Sequence, residues 1–170
     1  MPVKKVKKVF EYKYALLTAH HDGDSLTIDI DFGFRTKREA QPVRLAGSDA
    51  PEISSKDPLE KAAGLIARDM LVCYYPAGSL VEVATNDTGA GDKYGRCLAS
   101  VKLVGDPRGD ASTWMIKMLL AVPYFGVKKP AWDRAFLQNI VDSYSREACI
   151  KPDTRKAIDA LKPKPAERAP

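Results

Sequence analysis

The stretch PVRLAGSDAPEISSKDPLEKAAGLIARDMLVCYY, Pro42–Tyr75, changes its hydrophobic period part-way along. Val43 and Leu45 alternate with Arg44 as a strand requires, and Asp49, Ala50, Pro51 and Glu52 then make a corner. After a loop, Asp57 suits an N-cap, Pro58 suits the first helical position, and Gly78 follows the end. Between them Leu59, Ala62, Ala63, Ile66, Met70 and Tyr74 recur at helical spacing, so this helix offers one apolar stripe to a partner.

Upstream, a strand is predicted from Val9, with Phe10, Tyr12, Tyr14 and Leu16 on one face at period two. HHDGD at 20–24 turns the chain. SLTIDIDF then alternates, with Leu26, Ile28 and Ile30 opposite Thr27, Asp29 and Asp31. GFRTKREAQ (33–41) reads as a polar hairpin connection, longer than the usual two to five residues or so. Downstream, SLVEVAT (79–85) and YGRCLASVKLV (94–104) read as strands four and five, joined by NDTGAGDK. ASTWMIKMLLA (111–121) is a short helix, and PAWDRAFLQNIVDSYSREACI a longer one capped by Pro130. Trp114, Trp132 and Phe136 fall at helical spacing and read as core. Three strands, a helix, two strands and further helices predict an α+β chain with a mainly β core. The architecture expected is a five-stranded OB-fold β-barrel with about three packed helices.

The chain has 170 residues, enough for one domain with a sizeable core. Residues 1–8 read as a flexible basic N-terminus, 9–150 as the domain, and 151–170 as a mostly disordered basic tail, rich in Pro and Lys and holding a short helix at most. A net charge of +5 and a pI near 9.0 favour a polyanionic partner. Cys73, Cys97 and Cys149 are odd in number and widely spaced, which argues against a disulfide framework or zinc site and suits a reducing compartment. MPVKKVKKVFEYKY lacks the apolar run of a signal peptide, and no segment reaches membrane-spanning length, so a cytoplasmic protein is expected.

Four polar clusters interrupt the patterned elements: Asp22-Gly23-Asp24, Arg44, Asp49 with Glu52, and DKYGR ending at Arg96. Singly, each has an ordinary reading. Asp-Gly is turn chemistry, Arg44 suits the wet face of a sheet, and Arg96 suits a surface cation after a turn. Together they suggest more. Asp24 and Asp49, at the ends of neighbouring strands, with a carbonyl near Ala50, offer hard oxygen ligands to calcium. Two guanidiniums grip phosphate oxygens in a planar fork. Glu52, left over, can take a proton from water. His20 and His21 read as exposed strand-end residues.

DGDSL after one strand, VRLAGSDAPE at the end of the third and DKYGRCLASV later resemble the thermonuclease family, the staphylococcal-nuclease-like domains, over about residues 9–126. The variant resembled is the intracellular type of prokaryotes and phages. This implies an OB barrel with helices, calcium held by Asp24, Asp49 and the Ala50 carbonyl, and Asp22 as a nearby acidic group. It also implies Arg44 and Arg96 on the scissile phosphate, Glu52 as general base, and Lys93, Tyr94 and Tyr124 against the nucleotide. Threonine is frequent in the family where Ala50 stands here. The expected activity is calcium-dependent hydrolysis of DNA, with RNA left open, giving 3′-phosphate ends with little sequence preference. A non-catalytic OB module that binds nucleic acid is the alternative. No membrane partner and no dinucleotide cofactor are expected, and a monomer is.

Overall fold

A computed structural model describes residues 9–85, 92, 94–126 and 131–162. Its strands are β1 (Phe10–His20), β2 (Ser25–Gly33), β3 (Thr36–Leu45), the short β4 (Ser48–Asp49), β5 (Leu80–Thr85), β6 (Cys97–Leu103) and the short β7 (Val122–Pro123). Its helices are α1 (Pro58–Tyr74), α2 (Ala111–Lys117), α3 (Arg134–Tyr144) and α4 (Pro152–Asp159).

Strands β1-β2-β3-β6-β5 close into a barrel of the OB type, and β4 pairs with β7 beside it. All barrel neighbours are antiparallel except β3 and β6, which meet in parallel over only Val43–Leu45 and Cys97–Ala99. Ala46 N–H extends this seam to the Ala99 carbonyl at 2.9 Å. Leu26, Ile28 and Ile30 are buried as their alternation predicts, and they join Val43, Val81, Val101 and Leu59, Ala62, Ala63, Ile66 and Met70 of α1 in one core. Tyr74, expected on the same stripe, is exposed, and Tyr75 is buried instead. Asp57 caps α1 through the Leu59 N–H, with Pro58 in its first turn.

Three local expectations are corrected. In β1 the buried residues are Ala15 and Leu17, while Tyr14 is exposed and Leu16 partly so. A register shift between Tyr12 and Ala15 breaks the period-two face on which the aromatics were placed together. The polar stretch after Gly33 is mostly strand: β3 starts at Thr36, leaving only Phe34 and Arg35 as connection. Residues 33–40 are exposed on both sides, so no burial alternation marked them. The cap of α3 is Asp133, which accepts from Ala135 N–H; Pro130 lies outside the described residues.

The short helix allowed for the tail is α4, docked on α1 through Asp69. The Asp69 carboxylate is fully buried and accepts from Arg68, from Lys151 N–H at 2.9 Å and from Thr154 Oγ1 at 2.6 Å. Trp114 is buried, whereas Trp132 and Phe136 are half-covered and stack with centroids 5.8 Å apart. His21 is exposed; His20 is half-buried, and burial holds its pKa below the usual histidine value. Among the described residues no helix is long and apolar enough to cross a membrane.

Candidate active site

Antiparallel pairing of β2 with β3 puts Ser25 opposite Arg44, so Asp24, just before β2, arrives beside the end of β3. Leu45 N–H donates to the Asp24 carbonyl at 2.8 Å and fixes that meeting. Two residues past β3, Gly47 turns the chain with φ +87°, and β4 brings Asp49 back to the same place.

Arg44 is 7 % exposed and lies between the two aspartates, which are 3 % exposed each. Its Nη1 donates to Asp24 Oδ1 at 3.1 Å, while Nη2 is 2.8 Å from Asp24 Oδ2 and 2.5 Å from Asp49 Oδ1. Asp24 is further held by Ser25 Oγ and by Ala50 N–H, both at 3.1 Å. Burial, then the neighbouring Asp22 carboxyl, push Asp24 up to about 7, with Arg44 pulling the other way. Burial also works against the charge on Arg44, but Asp24 and Asp49 hold its pKa above the ordinary arginine value, so it stays cationic. Asp22 Oδ1 accepts Asp24 N–H at 3.0 Å, which places it one step behind the pair.

The second guanidinium comes across the seam. Arg96 Nη1 donates to Ser25 Oγ at 2.6 Å, and its Nε and Nη2 pair with Asp92 Oδ2 at 2.8 and 2.7 Å. Asp92 Oδ1 also accepts the N–H groups of Tyr94 and Arg96, each at 2.9 Å, around a turn whose Gly95 needs φ +76°. Despite the upward push of burial, these donors hold Asp92 below the ordinary carboxylate range. A continuous chain of bonds therefore runs Asp92–Arg96–Ser25–Asp24–Arg44–Asp49.

Two tyrosines lie against the arginines. The Tyr124 ring is 6.0 Å from Arg44 Cζ, held there by β7 and by its N–H bond to the Gly47 carbonyl at 3.0 Å. The Tyr94 ring is 5.3 Å from Arg96 Cζ and 70 % exposed. Glu52 follows Asp49 by three residues in a half-exposed turn. Its N–H points to Glu60 Oε1 at 3.4 Å and its carbonyl accepts from Ser55 N–H at 3.2 Å. Behind it Gly64 of α1 packs on backbone: a Cβ there would lie 2.6 Å from the Pro51 carbonyl oxygen and 2.9 Å from the Glu52 carbonyl carbon.

Asp22, Asp24, Arg44, Asp49, Ala50, Arg96, Tyr94 and Tyr124 thus lie near one another, with Glu52 next along the chain. Lys93 lies outside the described residues. Ser25 and Asp92 were missed as site residues. The signal for Asp92 was its i, i+4 spacing from Arg96 across a Tyr-Gly turn; nothing in the sequence singled out Ser25.

The donor set fits a hard cation in part. Two carboxylates already converge on one positive group, and the Ala50 backbone is tied to one of them. Among the described residues no cluster of three or more His, Cys, Asp or Glu side chains is present, so a metal here would draw its remaining ligands from carbonyls and water. No family model matches the chain, and no curated protein matches it.

Proposed function

We propose that this chain is a calcium-dependent nuclease of the thermonuclease kind, hydrolysing DNA phosphodiesters with little sequence preference. One observation carries the reading: two buried carboxylates and two guanidiniums on different strands are joined into one bonded unit beside an open corner that holds Glu52. That is the charge inventory of phosphoryl transfer. Asp24, Asp49 and the Ala50 carbonyl would hold calcium, whose charge offsets that building on the phosphoryl oxygens. Arg44 and Arg96 bind and orient the phosphate, and Tyr94 and Tyr124 lie beside them for the nucleotide. Glu52 takes a proton from water as the water oxygen bonds to phosphorus. The bond to the 5′ oxygen breaks, that oxygen is protonated, and the phosphate stays on the 3′ oxygen. The odd cysteine count supports a reducing compartment.

One observation favours the alternative, a nucleic-acid-binding module without catalysis. Arg44 already pairs with both aspartates, so each carboxylate has a cationic partner without a metal. Incubation with plasmid DNA and calcium, with and without a chelator, separates the two. Chelator-sensitive digestion is expected, and Glu52→Gln and Arg96→Ala should each slow it by roughly 100-fold or more. DNA binding with no cleavage at ample enzyme would select the binding module, and parental rates in either variant would remove the assigned roles.

A further inference from the structure

Strands β2 and β3 run on beyond their barrel neighbours. The last pairing of β2 with β1 is Asp29 with Leu16, but its ladder with β3 continues through Ile30–Arg38 and Asp31–Lys37 to Gly33–Thr36. The result is a two-stranded ribbon ending in the pair Phe34–Arg35.

Both tip residues have left-handed backbone, φ 50° and 62°, as a two-residue hairpin turn of matching twist requires. Asn-Gly would adopt it freely, whereas bulky side chains are strained there. Phe34 is nevertheless fully exposed, at 102 %, so its ring buries nothing against the protein. A strained, wholly exposed aromatic does nothing for this fold, and such an outlier points outward.

The rest of the ribbon is sorted by face. Phe32 lies edge-on to Tyr12, centroids 5.4 Å apart, and Arg38 stands opposite Ile30, two residues from Phe32. Asp31 and Lys37 pair with each other at 3.9 Å, Asp31 also accepts Gly33 N–H, and Asp29 accepts Ala40 N–H. The aspartates of the ribbon are thus engaged within it. Arg35 and Arg38 have no ion-pair partner among the described residues. Aromatic rings interleaved with uncommitted guanidiniums match the alternation of bases and phosphates in a single strand. Eight residues of β3 separate Thr36 from Arg44, about 26 Å at strand rise.

We propose that the 30–38 ribbon is a second contact for single-stranded nucleic acid, stacking bases on Phe34 and Phe32 and holding phosphates with Arg35 and Arg38. It grips the strand remotely from the Arg44 site. This rests on the nucleic-acid reading above and adds where the strand runs.

Phe34→Asn provides the test, since Asn tolerates the left-handed turn and leaves folding intact or improved. Binding of labelled oligothymidylates is measured by fluorescence anisotropy in chelator. One oligomer has about 4 nucleotides and one about 20, bracketing the span of a single OB barrel. The variant should bind the long oligomer about 10-fold more weakly, the short one unchanged, with a thermal midpoint equal or higher; Arg35→Ala with Arg38→Ala should flatten the salt dependence. Equal affinity of parent and Phe34→Asn for the long oligomer overturns the arm while leaving the nuclease reading standing. So does a self-associated parent that Phe34→Asn renders monomeric, because the tip then docks a second copy. A parent that binds neither oligomer at low salt overturns the arm, and one that also fails to digest DNA with calcium overturns the nuclease reading as well.

Discussion

The position of Arg44 between Asp24 and Asp49 makes a quantitative demand on stability. Arg44→Met keeps the length of the side chain and removes its charge, leaving two carboxylates at 3 % exposure with no guanidinium. Breaking a buried pair from one side costs about 3–5 kcal/mol. For a chain of this size that is about 10 °C of thermal midpoint. The cost depends on pH. Asp24 is about 7 when folded and near 3.9 when unfolded, so the native state holds the extra proton between those values. Its contribution to stability therefore falls as pH rises from about 4 to about 7. Removing Arg44 removes the larger downward pull on Asp24, leaving only the Ala50 N–H, so the folded value climbs further. The variant's deficit should therefore be larger near pH 8 than near pH 5, where the loss is mainly that of the Asp49 partner. If the aspartates are a cation site, calcium at 100 times its dissociation constant returns about 2.7 kcal/mol, and should stabilise the variant more than the parent, which has a guanidinium to displace. Urea unfolding followed by tryptophan fluorescence, in chelator and in calcium at pH 5 and pH 8, reads all four conditions. A deficit under about 1 kcal/mol at pH 8 in chelator would refute the electrostatic reasoning. Equal stabilisation of both by calcium would refute displacement of the guanidinium, and no calcium effect on either would refute the cation site.

Two further expectations concern the packing behind the site. Gly64→Ala would normally favour a helix by about 1 kcal/mol, yet its Cβ meets backbone at Pro51, Glu52 and Ile53, so a net loss of about 1–3 kcal/mol is expected. Because the displaced segment carries Glu52, DNA digestion should also fall by about 100-fold, and unchanged turnover would show that the corner yields harmlessly. Asp69→Ala strands the Thr154 hydroxyl and Lys151 N–H, costing about 3–5 kcal/mol by urea midpoint and exposing α4 to limited proteolysis; Thr154→Val should cost about 1 kcal/mol. A protease-resistant α4 in the Asp69 variant would mean that apolar contacts alone seat it.

The barrel was legible because its rules are local. Leu26, Ile28 and Ile30 alternate in plain view, and Asp57-Pro58 announces α1. The errors fell where local pattern is silent or misleading. The 36–40 segment carries no alternation because neither side of it is covered. In β1, aromatic residues suggested a core face that the register shift gives instead to Ala15 and Leu17. The site shows the same division. Arginines and carboxylates could be named from residue type and resemblance, but their mutual neutralisation depends on Ser25 meeting Arg44 across β2 and β3. No spacing along the chain encodes that register. Ser25 is the clearest case, a small hydroxyl whose importance comes only from standing between Asp24 and a guanidinium seventy-one residues away.

The seam between β3 and β6 gives the molecule a particular way to fail. It is the shortest junction in the barrel, three paired residues long, and it is also the line across which Arg96 reaches Ser25 and Asp24. Parting that line separates the two guanidiniums before any helix has to melt. Warming should therefore disarm the protein ahead of its global transition, and amide exchange at Arg44–Ala46 should outpace that of α1. The shortest joint and the proposed site are one place, so a staple across it should trade adaptability of the site for endurance.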